Sequence, residues 1–128
     1  MKLLSVDDSR VVRKIMRGAA EVLDYELLEA EDGIQGLEVM AENYQDIAVI
    51  LLDWNMPRMN GLEFLQAVKG NPDYRGIPVM MVTTETERDS IITAIQEGAA
   101  NYMVKPFTME ELVKNILETL GKGEGYGQ

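Results

Sequence analysis

Short apolar runs alternate along this chain with longer stretches in which apolar residues recur at helical spacing. The runs are Leu3-Leu4-Ser5-Val6, Ile47 to Leu52, Val79 to Val82 and Asn101 to Val104. Runs of this length, bounded by helical patterns, read as buried strands of a parallel sheet. Glu26 to Ala30 is less apolar and reads as a further strand at an edge. A first helix begins near Ser9 and turns Val12, Ile15, Met16, Ala19, Ala20 and Leu23 to one side. Asp32 caps a second helix carrying Ile34, Leu37, Met40 and Tyr44. Asn60 with Glu63 opens a third through Leu65 and Val68, broken by Gly70, Asn71, Pro72 and Asp73. Thr86 with Asp89 opens a fourth with Ile91, Ile92 and Ile95, stopped by Gly98. Thr108 and Glu111 form a capping-box pattern that opens a fifth with Leu112, Val113, Ile116, Leu117 and Leu120.

Strand and helix thus alternate five times, a (βα)5 pattern of the α/β class. Right-handed crossovers place helices on both faces of a parallel, doubly wound sheet. The chain of 128 residues suits one domain, expected over residues 1–120, with a flexible Gly-rich tail over 121–128. No apolar run approaches the roughly 20 residues of a membrane span, and no signal-peptide pattern precedes the first strand. Cysteine and histidine are both absent, which removes disulfides, thiolate or imidazole metal sites, and any histidine base. The net charge of −10 argues against a nucleic-acid partner, whose phosphates are held by cations. Among the nine methionines, Met16, Met40, Met80 and Met81 fall at core positions and read as packing.

The chemistry sits where the strand runs end. Asp7 and Asp8 follow the first, Asp53 the third, Thr83 the fourth, and Lys105 with Pro106 the fifth. In open α/β sheets, ligands bind at that carboxyl edge. Taken singly, each has an ordinary explanation: a turn aspartate, a helix cap, a solvated lysine. Taken together, three carboxylates at one edge are costly unless a cation joins them, so the pattern points to a metal-dependent site around Asp53.

These residues carry a family resemblance. Asp7-Asp8, Glu31-Asp32-Gly33, Asp53-Trp54-Asn55-Met56-Pro57, Asn60-Gly61, Met81-Val82-Thr83, Gly98-Ala99, Tyr102 and Lys105-Pro106-Phe107 occur in order on the (βα)5 pattern. In that ordered set the chain resembles response-regulator receiver domains, and within them CheY-like single-domain chemotaxis regulators, from Lys2 to about Leu120. The resemblance implies a flavodoxin-like sheet of order 2-1-3-4-5. CheY is itself a standard example of that order, so the order comes from the resemblance and not from periodicity.

The resemblance also implies roles. Asp53 accepts a phosphoryl group from a sensor histidine kinase, with Mg²⁺ present. Asp8, Asp53 and the backbone carbonyl of Asn55 ligate the metal, and Asp7 acts through water. Lys105 contacts the acidic cluster and the phosphoryl group, and its bond to Pro106 is cis. Thr83 is the switch hydroxyl and Tyr102 the switch aromatic. Asn55 and Glu85 tune loss of the phosphoryl group, while Thr84 departs from the smaller residue often found there. Ile91, Ile95, Tyr102 and Lys114 are expected on the partner face, with Asn115 replacing a basic residue expected on the last helix.

The implied protein is a cytoplasmic signalling module and not an enzyme, apart from self-phosphorylation from a donor and autodephosphorylation. It acts on a separate output protein such as a flagellar switch, in chemotaxis or motility. A phosphorelay intermediate that passes the group to a histidine-phosphotransfer protein is the nearest alternative. An aspartate-nucleophile phosphohydrolase is further off: its nucleophile follows the first strand in a D-x-D pattern, whereas the residue two after Asp53 is Asn55.

Overall fold

The structure is a computed structural model, and it describes residues 1–84 and 88–123. Strands β1 (Lys2–Val6), β2 (Glu26–Ala30), β3 (Ile47–Leu52), β4 (Val79–Thr83) and β5 (Asn101–Val104) form one sheet in the order β2-β1-β3-β4-β5. All pairings are parallel. Helices α1 (Arg10–Leu23), α2 (Gly33–Asn43), α3 (Gly61–Gly70), α4 (Arg88–Gln96) and α5 (Met109–Gly123) fill the crossovers.

Strand alternation divides the core. Leu3, Val49, Leu51, Met80 and Val82 meet Val12, Met16 and Ala19 of α1 and Leu112 and Ile116 of α5. Leu4, Val6, Ile50, Leu52, Val79 and Met81 face the other way, against Met40, Phe64, Leu65, Val68 and Ala94. Every residue of β3 is buried, as a central strand covered on both faces requires. β2, at the edge, buries only Ala30 fully. Met16, Met40, Met80 and Met81 are all core residues.

Helix α1 begins beside Ser9 as expected, and the Ser9 side chain caps it by accepting from Val12 N. The expected Asp32 cap forms on α2, accepting from Gln35 N. Asn60 with Glu63 closes a capping box on α3, and Thr108 with Glu111 exchanges the same pair of hydrogen bonds on α5. Thr86, expected at the start of α4, lies outside the described residues. Helix α5 continues past Leu120 to Gly123, so the helix takes in the first residues of the expected tail.

Some residues expected on the buried helix faces are exposed: Ile34, Ile92, Ile95 and Leu117. Each lies at the margin of its helix's apolar stripe. A helix resting on a sheet buries only the part of the stripe that meets the strands.

Candidate functional site

The sheet register brings the acids together. Val6 and Leu52 are partners in β1 and β3, and the pairing continues one step further, with Asp53 N donating to Val6 O at 3.0 Å. Asp7 N likewise donates to Ala30 O of β2 at 2.9 Å. Asp7 and Asp53 therefore leave adjacent strands at the same level. With Asp8 they present carboxylate oxygens within 4.8 Å of one another. Asp7 and Asp53 are buried and Asp8 is exposed, so the cluster opens on one side.

Lys105 reaches this cluster from the far strands. Its backbone N–H donates to Thr83 O at 2.9 Å, extending the β4–β5 pairing, and its bond to Pro106 is cis. Its Nζ donates to Asp7 Oδ2 at 2.8 Å and lies 3.5 Å from Asp53 Oδ2. The nearer partner is therefore Asp7, with Asp53 second. Lys105 pairs with two of the three carboxylates, and a set of hard oxygen donors with an open side fits a small divalent cation.

Burial holds the Asp7 carboxyl above the usual carboxylate range, outweighing the hydrogen bonds it accepts from Lys105 and from Ser9 N. Ionised Asp7 is thus less favoured in the folded chain than in the unfolded one. That cost is absent below the unfolded pKa and complete above the raised folded value. Asp7→Asn should accordingly raise the Tm of the metal-free protein by a few degrees at neutral pH. The gain should vanish in strong acid. Thermal melts in chelator across pH check both statements, and a lower Tm in the variant at neutral pH would contradict them.

The loop after Asp53 is held close. Gly61 N donates to Trp54 O at 2.9 Å, and a Cβ on Gly61 would collide with the backbone oxygen of Asp53. Only glycine lets α3 begin so near the acid cluster. Trp54 is half-buried against the α2–α3 side of the core, and Asn55 is exposed at the mouth of the site.

Thr83 is fully buried at the end of β4. Met81 pairs with Tyr102, and residues two apart on a strand share a face, so Thr83, Met81 and Tyr102 lie on one side of the sheet. Tyr102 packs half-buried into the cluster that contains Ala94 and Ala99. On the same side, Ile91 is half-buried, whereas Ile92 and Ile95 are exposed. Lys114 does not join this face. It lines a cleft between α1 and α5 with Val22, Met109, Val113 and Leu117, while Asn115 lies toward Asn101 of β5, 3.5 Å from its amide. The next position along a helix points about a quarter-turn away, so the basic neighbour does not stand in for Asn115. Glu85 lies outside the described residues.

A doubly wound parallel sheet with an acid cluster and a lysine at its carboxyl edge is the architecture of the receiver class of signalling domain. Comparison with known proteins agrees. Residues 3–117 match the model of the response regulator receiver domain. The "Chemotaxis protein CheY homolog" of Campylobacter jejuni is 42% identical over 128 residues, covering 99% of this chain and 98% of its own length. The structure of Vibrio cholerae chemotaxis protein CheY4 aligns with a TM-score of 0.84 at 35% identity, over 92% of this chain and 97% of that one. The Mn²⁺-bound form of response regulator Rcp1 aligns with a TM-score of 0.73 at 28% identity, over 94% and 91%. The chain belongs to the response regulator receiver domain family.

Proposed function

We propose that this chain is a chemotaxis response regulator that accepts a phosphoryl group on Asp53 from the phosphohistidine of a histidine kinase. The observation that carries the reading is the placement of Asp53 beside Asp7 and Asp8, with the Lys105 ammonium 3.5 Å from its carboxylate. The absence of histidine in this chain requires the phosphohistidine to come from another molecule.

An oxygen of the Asp53 carboxylate attacks phosphorus as the phosphorus–nitrogen bond of the donor breaks. The imidazole leaves with its electron pair and takes up a proton, and an acyl phosphate remains. Lys105 holds its charge where the phosphoryl oxygens come to lie. Asp8, Asp53 and the Asn55 carbonyl would hold Mg²⁺, with Asp7 acting through water. The solved Mn²⁺-bound relative is in keeping with a divalent cation at such a site. When bound, the cation offsets the repulsion between incoming phosphate and the acids.

The new charge is read along one face of the sheet. Thr83 is drawn toward the phosphoryl group, and Tyr102, on the same face, follows inward beside the small Ala99. Ile91, Ile95 and Tyr102 then present a changed surface to a separate output protein, such as a flagellar switch. One local electrostatic event biases a two-state element. The same reading places the protein in the cytoplasm, where its kinase donor is found. Among the described residues, no helix is long and apolar enough to cross a membrane.

The experiment is phosphotransfer. A phosphorylated histidine kinase should pass its label to the parent protein and not to Asp53→Asn. Equal labelling of that variant would contradict the acceptor. Onward passage of the label to a histidine-phosphotransfer domain would replace the chemotaxis role with a relay.

A further inference from the structure

Among the β3–α3 loop residues, Arg58 has a backbone that ordinary side chains avoid. Its φ is +64°, in the left-handed region that costs any residue with a Cβ. Its guanidinium is committed across the molecule: Nε and Nη2 donate to Asp32 Oδ2 at 2.9 and 2.7 Å. Asp32 is 5% exposed, and its other oxygen accepts Gln35 N at 2.9 Å as the cap of α2. One carboxylate thus serves both a helix start and a loop. A second tie lies beside the first. Gly33 N donates to Met59 O at 3.3 Å, and a Cβ on Gly33 would lie 2.6 Å from Met59 Cγ. The loop therefore lies flat on the first turn of α2.

That loop is the one that presents Asn55. Its other end is fixed by the Asp53 and Trp54 backbone against Gly61. Between these anchors, nothing else described at the 54–60 segment is a charged tie to another element.

We infer that the Arg58–Asp32 pair is a clamp that sets the position of the Asn55 backbone, and so tunes cation affinity and phosphoryl chemistry at Asp53 without touching either. The inference rests on the reading of the site given above. Arg58 and Asp32 are positioning residues on this account. The Gln35 amide, with the Arg58 guanidinium as a lesser cause, holds the Asp32 carboxyl below the usual range, so the clamp is charged at neutral pH.

The test is a Mg²⁺ titration of the full chain, followed by Trp54 fluorescence, in four variants beside the parent. Arg58→Gln removes the clamp. Asp32→Asn removes its charge and keeps a good helix cap. The third variant combines them. Arg58→Gly removes the clamp while suiting the left-handed backbone. Each single change should weaken Mg²⁺ binding roughly tenfold, as loss of outer-shell support does at metal sites. The double variant should be no weaker than the weaker single, because the two residues act as one device. Arg58→Gly should lose affinity without losing Tm, a split that a merely structural role does not produce. Affinities within about twofold of the parent, effects that multiply in the double variant, or affinity losses that follow Tm would overturn the clamp alone. A parent protein that shows no Mg²⁺ response would overturn the reading of the site and the clamp with it.

Discussion

Asp8→Ala is expected to weaken the Mg²⁺ response of Trp54 by well over ~10-fold, because loss even of a group that only supports a ligand costs ~10–100-fold at metal sites. Asp7 and Asp53 share the Lys105 ammonium, at 2.8 and 3.5 Å. Asp8 is the exposed member, on the open side of the cluster. A cation entering from solvent meets Asp8 first, and without it the remaining acids are already partly compensated. Trp54 follows Asp53 directly and packs against the core, so a change at the cluster reaches the indole without large movement. A binding curve unaltered by Asp8→Ala would remove Asp8 from the ligand set.

The second large effect concerns the lifetime of the phosphorylated state. Hydrolysis of an acyl phosphate needs a water in line with the leaving carboxylate. Asn55 is exposed at the mouth of the site and can hydrogen-bond such a water. Glu85, two residues beyond Thr83, is the other polar group assigned to this step. Thr84, whose extra methyl departs from the usual smaller residue, is exposed. The double variant Asn55→Met/Glu85→Tyr replaces both polar groups with bulk that shields the phosphoryl group. Its phosphorylated form should decay ~10-fold more slowly than the parent's after removal of donor in Mg²⁺, less than the ~10²–10⁴-fold of a general acid or base, because these groups position the water and do not take its proton. Equal or faster decay in the variant would reject the roles of Asn55 and Glu85.

Much of this was legible in the chain because its signals are local. The strands at Glu26–Ala30, Ile47–Leu52 and Asn101–Val104 fall where the apolar runs place them. The Asn60–Glu63 and Thr108–Glu111 boxes need only residues three apart. The Lys105–Asp7 ion pair spans 98 positions and became readable only once a strand order was supplied. The Arg58–Asp32 pair, 26 positions apart, carries no comparable signal. An arginine in a loop and an aspartate at a helix cap each have a sufficient local explanation. The exposure of Ile92 and Ile95 was also hidden, since periodicity marks an apolar face without showing how much of it the sheet covers. Lys114 and Asn115 are neighbours in sequence, yet they lie toward α1 and toward β5.

The central claim is that Asp53 carries the phosphoryl group, and an acyl phosphate can be located chemically. Borohydride reduces that mixed anhydride to an alcohol, converting a phosphorylated aspartate to homoserine and sparing free carboxylates. The parent protein, phosphorylated by a small phosphodonor in Mg²⁺, reduced and mapped by peptide mass spectrometry, should show homoserine at position 53 and aspartate at positions 7 and 8. Homoserine at position 7 or 8, or none at position 53 in protein that has gained the phosphoryl mass, would contradict the account.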